Sequence, residues 1–292
     1  MMKAILIAAA TILQAYLLGS VDTGILVSKF VYHDDVRNHG SGAAGMTNML
    51  RTFGKKAAAM TATGDVLKGV LAVCIGRWLF HMLPADAGMS PYLGVYLAAI
   101  FAVLGHLYPL YFGFKGGKGV LVAAGAILAI QPVLLPFLAL IFLACLLPTG
   151  MVSLGSVTMA AAYPLLTLGY CLLRGYAVQD LLICLVGSVI MAAMVIYMHR
   201  SNIQRIATAG IPLWPPRQTV KSNNETGGAC TQCCAAPPVF LFCKVIRRPR
   251  PVLFPVRGAA SGCRFARAKG PERGGRPADG HQRRAQRSIC AR

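Results

Sequence analysis

Residues 113–119 pack four glycines and two lysines into seven positions, and an apolar run follows at once. Glycines let successive backbone N–H groups turn toward one oxygenated group. A helix that begins there adds its partial positive end, and the lysines add point charge. Lys115, Gly116, Gly117, Lys118 and Gly119 therefore form a candidate phosphate loop. It is not a Walker A loop, because no Ser or Thr follows a Gly-Lys pair at the required offset. A second cluster holds Ser41, Thr47, Asn48 and Arg51. A third holds His199, Asn202 and Arg205, with Ser153 and Ser156 at the start of another apolar run, and His106 stands just before the loop. There is no spaced metal-ligand set, no pair of carboxylates and no Ser-His-Asp arrangement. The chemistry to expect is the binding and positioning of anionic groups, with no metal and no cofactor. Each cluster alone also fits an ordinary polar turn at a membrane face; together on one face they favour a site.

The elements that must position these residues are membrane spans. Of 292 residues, 56% are hydrophobic and 13% charged, and the mean hydropathy is +0.59. Several runs approach the roughly 20 residues that a bilayer crossing needs. Residues 4–28 form a first span, 57–82 a second and 92–112 a third. Residues 31–56 are a polar loop in which Met46–Phe53 forms a short helix. Asp65 and Lys68, three apart in the second span, share a helical face, which suits a mutual ion pair in the bundle interior and leaves a role in a site open. Residues 120–147 as one straight helix would be about 42 Å long, too long for a core of about 30 Å. Gln131 precedes Pro132 near the middle, which disfavours helix there. Two short helices, 119–130 and 133–147, are therefore expected. Residues 152–172 and 178–198 are the last two spans.

Basic residues concentrate in loop 31–56, which the positive-inside bias places in the cytoplasm. The N-terminus and residues 83–91 then lie outside, and the Lys115/Lys118 loop lies inside. Counting the broken pair as two crossings places Arg200 and Arg205 inside as well. The three polar clusters then share the cytoplasmic face. Residues 1–212 carry a net charge of +7, whereas residues 213–292 carry +13 and are rich in Pro, Gly, Arg and Cys. The latter show no hydrophobic period and are expected to be disordered. Two units follow: 1–212, a transmembrane domain, and 213–292, a basic tail. Cys74, Cys145, Cys171 and Cys184 lie in apolar runs as small buried side chains.

The motifs resemble a known family. Gly40, Ser41, Gly42, then Gly45, Thr47, Asn48 and Arg51; Gly105, His106 and Pro109, then residues 113–119; and His199, Asn202 and Arg205 occur in order. They resemble the three motifs of the bacterial acyl-phosphate:glycerol-3-phosphate acyltransferases, the PlsY family. The resemblance covers residues 4–208. It implies an all-α, polytopic membrane bundle of about seven helices, two of them short, in the bacterial cell membrane with its active site on the cytoplasmic face. It implies transfer of a fatty acyl group from acyl-phosphate to the 1-hydroxyl of sn-glycerol 3-phosphate, giving lysophosphatidic acid and phosphate in phospholipid synthesis. Ser41, Arg51, His199 and Asn202 match the family's catalytic residues. Asn48, His106, Lys115, Gly116, Gly117, Lys118, Gly119 and Ser153 match its substrate contacts. A functional link to a soluble enzyme that makes acyl-phosphate is implied, and no nucleic-acid partner is expected.

Ala43 stands where the family often has Asn, and Met46 where it has Ala. The glutamate that usually follows the third motif is missing, and a shifted reading frame near residues 207–211 would account for both that loss and the change of composition. A second function class also fits basic loops and broken helices: a transporter or flippase for an anionic solute. No inverted repeat is visible, and the basic residues gather at one face rather than at the midplane.

Overall fold

A computed structural model describes residues 2–84 and 88–209. The basic tail, and residues 210–211 of the stretch 207–211 where a frame change is suspected, lie outside the described residues. Among those described there are ten α-helices and no strand. They are α1 (Met2–Gly19), α2 (Thr23–Val31), α3 (Met46–Phe53), α4 (Lys55–His81), α5 (Pro91–Leu107), α6 (Val120–Ile130), α7 (Leu134–Thr149), α8 (Val152–Leu173), α9 (Val178–Met198) and α10 (Arg200–Ala209). Five stretches are long and apolar enough to cross a membrane, with α1 and α2 together forming one of them; α6 and α7 are shorter apolar helices. Seven segments, two of them short, agree with the sequence reading. Large apolar side chains such as Leu140, Leu165 and Leu173 stand exposed on the bundle. That is how a lipid-facing surface looks, since lipid tails are as apolar as leucine.

The first span, read from the sequence at 4–28, is present over Met2–Val31, and it is made of two helices. The chain breaks between Gly19 and Thr23, and the buried Asp22 side chain caps α2 by accepting the Ile25 N–H at 3.2 Å. Ser, Thr, Asn and Asp stop and start helices by taking such orphan N–H groups. The break expected in residues 120–147 is present: Gln131 ends α6 and its carbonyl accepts the Leu134 N–H at 3.0 Å. The α6–α7 hairpin returns the chain to the end from which it left. It thereby brings residues 150–153 beside Lys118.

Helices approach closely where glycine lets them. A Cβ on Gly19 would strike the Ala102 carbonyl, and one on Gly105 the Tyr16 carbonyl, so α1 and α5 touch backbone to backbone. Gly69 and Gly125 do the same for α4 and α6, against the Val122 and Val66 carbonyls. In lipid, where apolar burial drives helix association little, such close packing is the main attraction. Below the bundle, loop 31–56 folds on its own small core of Ile25, Val36, Ala44 and Met49, with Tyr32 stacked on Phe53 at 4.8 Å.

Candidate active site

The first motif is a turn built around one amide. Asn48, near the start of α3, is buried, and its Nδ2 donates to the carbonyls of Val36 (3.1 Å), His39 (2.9 Å) and Ala43 (3.0 Å). Its Oδ1 accepts the Ser41 N–H at 3.2 Å. Gly40 adopts φ +57°, a region that disfavours side chains, and a Cβ there would also meet Asn48 Oδ1. Asn48 thus borders the cavity but spends its hydrogen bonds holding Ser41 at the rim. On the next turn of α3, Arg51 is exposed toward the same space.

Arg37 ties this turn to the Gly/Lys loop, a role that its place in the sequence did not suggest. It pairs with Asp35 at 2.7 Å and donates to the Phe112 carbonyl at 2.8 Å. The Arg37 hydrogen bond holds the Asp35 carboxyl down to about 2, against partial burial. Only the proximity of residues 112–115, far along the chain, gives this ion pair its meaning.

The Gly/Lys loop divides in two. Lys118 and Gly119 face the cavity, whereas Lys115 is exposed away from it. Gly116 and Gly117 pack on His106: a Cβ on either would strike that residue, and Gly117 N–H donates to the His106 carbonyl at 3.2 Å. These two glycines are therefore needed for close approach as much as for anion binding. Gly119, at φ +77°, starts α6. Burial, with the charges of Arg205 and Arg51, pulls the Lys118 ammonium below its ordinary value. Three cations from three parts of the chain thus meet at one opening.

The third motif closes the far side. His199 is buried at the end of α9, and its Nδ1 lies 2.8 Å from the Val195 carbonyl. A carbonyl only accepts, so Nδ1 carries the proton and Nε2 presents a lone pair. Burial pulls its pKa below the ordinary value, the Val195 bond opposes this, and the Lys118 charge adds to the lowering. Asn202, in the first turn of α10, donates to Ser153 Oγ at 2.6 Å and so joins α10 to the start of α8. Arg205 stands one turn further on.

Ser41, Asn48, Arg51, His106, Lys118, Gly119, Ser153, His199, Asn202 and Arg205 border one cavity of about 670 Å³, whereas Arg37, Lys115, Gly116 and Gly117 do not. Its mouth is polar. Its interior runs between α6, α7 and α8 along Leu121, Ala124, Leu135, Ala139, Phe142 and Met159. Among the described residues no group of three or more His, Cys, Asp or Glu side chains is disposed to hold a metal ion. A cationic rim over an apolar slot suits a molecule with a phosphate at one end and a hydrocarbon chain at the other.

The chain is similar to known proteins in sequence and in fold. The family model for glycerol-3-phosphate acyltransferase matches residues 9–209. The glycerol-3-phosphate acyltransferase of Clostridioides difficile (strain 630) is 41% identical over 192 residues, 66% of this chain and 88% of its own. That of Syntrophomonas wolfei is 40% identical over 198 residues, 68% of this chain and 92% of its own. The crystal structure of PlsY, an integral membrane glycerol 3-phosphate acyltransferase, in its glycerol 3-phosphate form, matches with TM-score 0.59 and 34% identity, over 70% of this chain and 94% of that one. Its lysophosphatidic acid form matches with TM-score 0.58 and 32% identity, over 70% and 93%. With its three motifs gathered at one cavity of a seven-segment helical bundle, the chain belongs to the glycerol-3-phosphate acyltransferase family.

Proposed function

We propose that this membrane enzyme transfers a fatty acyl group from acyl-phosphate to the 1-hydroxyl of sn-glycerol 3-phosphate. The observation that carries the reading is the cavity itself, with Lys118, Arg51 and Arg205 at its mouth and an apolar slot behind them. Two phosphate-bearing substrates repel each other, and three converging cations offset that repulsion. Ser41, Lys118 and the N-terminus of α6 hold the acyl-phosphate head, with its chain in the slot. Arg51, His199 and Asn202 place glycerol 3-phosphate. Its hydroxyl oxygen attacks the acyl carbon, the bond from that carbon to the phosphate oxygen breaks, and phosphate leaves. His199 Nε2 accepts the hydroxyl proton and passes it to the departing phosphate. Acyl-phosphate is already activated, so alignment and charge stabilisation carry much of the rate.

Purified protein given palmitoyl phosphate and labelled glycerol 3-phosphate forms labelled lysophosphatidic acid and phosphate on this reading. Uptake of label into proteoliposomes without acylation would replace it with transport. The slot makes a further prediction. Ala139→Phe on α7 fills it, so activity with palmitoyl phosphate falls about tenfold or more relative to octanoyl phosphate. Equal losses with both chains would place the acyl group elsewhere.

The basic residues also support a direction in the membrane. Lys29, Arg37, Arg51, Lys55, Lys56, Lys115, Lys118, Arg200 and Arg205 lie toward the site end, whereas only Lys3, Arg77 and Arg174 among the described residues lie toward the far end. The site then faces the cytoplasm, with the N-terminus outside the bacterial cell, and receives its acyl-phosphate from a soluble enzyme. A membrane-impermeant thiol reagent on intact cells labels Arg174→Cys and spares Lys56→Cys; the reverse pattern inverts the topology.

A further inference from the structure

Beneath the Gly/Lys loop lies a buried charged group that the reaction above does not use. Asp65 and Lys68 of α4 are 2.9 Å apart and have almost no access to solvent. Lys68 Nζ donates to the Val21 carbonyl at 2.9 Å, in the break between α1 and α2. It also lies 2.9 Å from His106 Nδ1. A buried ion pair is weak evidence for stability, because desolvating both charges offsets their attraction. Charges held inside a membrane domain at that cost call for a functional account.

The contact with His106 supplies one. An ammonium has hydrogens and no lone pair, so Nδ1 accepts from Lys68 and carries no proton itself. In the neutral ring the proton then sits on Nε2. Two carboxylates pull the other way, since Asp22 Oδ2 is 3.6 Å and Asp65 Oδ1 3.8 Å from Nδ1. Asp22 Oδ2 has no hydrogen-bond partner, so it stands ready to accept a hydrogen bond from an Nδ1–H if Lys68 is withdrawn. The Nε2 edge lies against Gly117, and both His106 and Asp65 border the cavity. The same residue's carbonyl holds Gly117 N–H.

We propose that the Asp65–Lys68 pair positions His106, fixing the tautomer that aims an Nε2–H donor at the anionic substrate in the cavity. Lys68 and Asp65 are positioning residues that act through the ring. This rests on the anion-binding role given to the cavity above. His106 and His199 then present opposite polarity to the same space, the first a donor and the second a lone pair.

The test reads the tautomer directly, without turnover. Protein labelled with ¹⁵N-histidine is examined by NMR in detergent micelles, with His106 assigned by its loss in the His106→Gln variant. The parent protein shows the Nε2–H tautomer, and inorganic phosphate moves the Nε2 resonance. The double variant Asp65→Leu/Lys68→Met removes both charges together, which spares the fold an unpaired buried ion. In it the ring moves to the Nδ1–H tautomer, facing Asp22, and kcat/KM falls about 10- to 100-fold, as expected for one lost hydrogen bond to a charged group. In the His106→Gln background, where the amide supplies its own N–H, the same double change costs less than about threefold. An Nδ1–H tautomer in the parent, a phosphate-insensitive Nε2, or an equal loss in both backgrounds overturns the proposal. A parent protein that makes no lysophosphatidic acid instead overturns the proposed reaction, and the spectra still decide the role of the pair.

Discussion

Replacing Arg51 by Ala lowers kcat/KM for glycerol 3-phosphate by about 100- to 1,000-fold, the range seen when one preorganised donor to developing charge is removed. The protein remains in the membrane and unfolds as before, because the Arg51 side chain is exposed and donates no hydrogen bond to any described residue. Its charge nonetheless reaches the cavity, since it is one of the two cations that lower the Lys118 pKa beyond the effect of burial. Removing it weakens the field that holds two phosphate groups together, while Lys118 becomes easier to protonate. Arg51→Lys keeps the charge but loses the planar fork that grips a phosphate through two N–H groups. It therefore falls between the parent and the Ala variant. Steady-state kinetics with both substrates varied, alongside membrane yield and thermal unfolding, checks this. Near-normal turnover of Arg51→Ala would remove Arg51 from the site.

Much of this site is legible in the sequence wherever the signal is local. The loop at 113–119, the short helix carrying Asn48 and Arg51, and the break before Pro132 each follow from residue types a few positions apart. Asp65 and Lys68 pair as their spacing requires, at 2.9 Å. What is not legible depends on partners far along the chain. Asn48 matches a substrate contact by motif, yet its amide holds the turn around Ser41, because three carbonyls converge on it only after residues 33–45 fold back. Arg37 reads as one more loop cation until residues 112–115 arrive beside it. Asp22 sits in an apolar run long enough to pass for one span. Its cap on Ile25 was visible in principle as an acidic residue between Gly19 and Gly24. Lys115 and Lys118 look equivalent in the loop. The start of α6 turns one toward the cavity and leaves the other outside.

His199→Asn lowers kcat by about 100- to 10,000-fold, the usual contribution of a positioned base. The choice of Asn separates two roles of the ring. An Asn amide keeps a donor for the Val195 carbonyl, which His199 Nδ1 engages at 2.8 Å, so the end of α9 stays capped. It presents no lone pair where Nε2 stands. If His199 serves only to finish the helix, the substitution is nearly silent; if it takes the hydroxyl proton, kcat collapses, and KM for glycerol 3-phosphate rises as well because the ring also helps to place that substrate. The pH profile gives an independent check on sign. Burial lowers the His199 pKa below the ordinary histidine value, so the ring stays neutral at neutral pH. Protonation fills the lone pair, and kcat of the parent falls as pH drops through that lowered pKa. The acid limb of the profile therefore lies below about 6.5. In His199→Asn the residual rate loses this limb. A residual rate that keeps the same acid limb would assign the titration to another group and return the proton to the substrate phosphate directly.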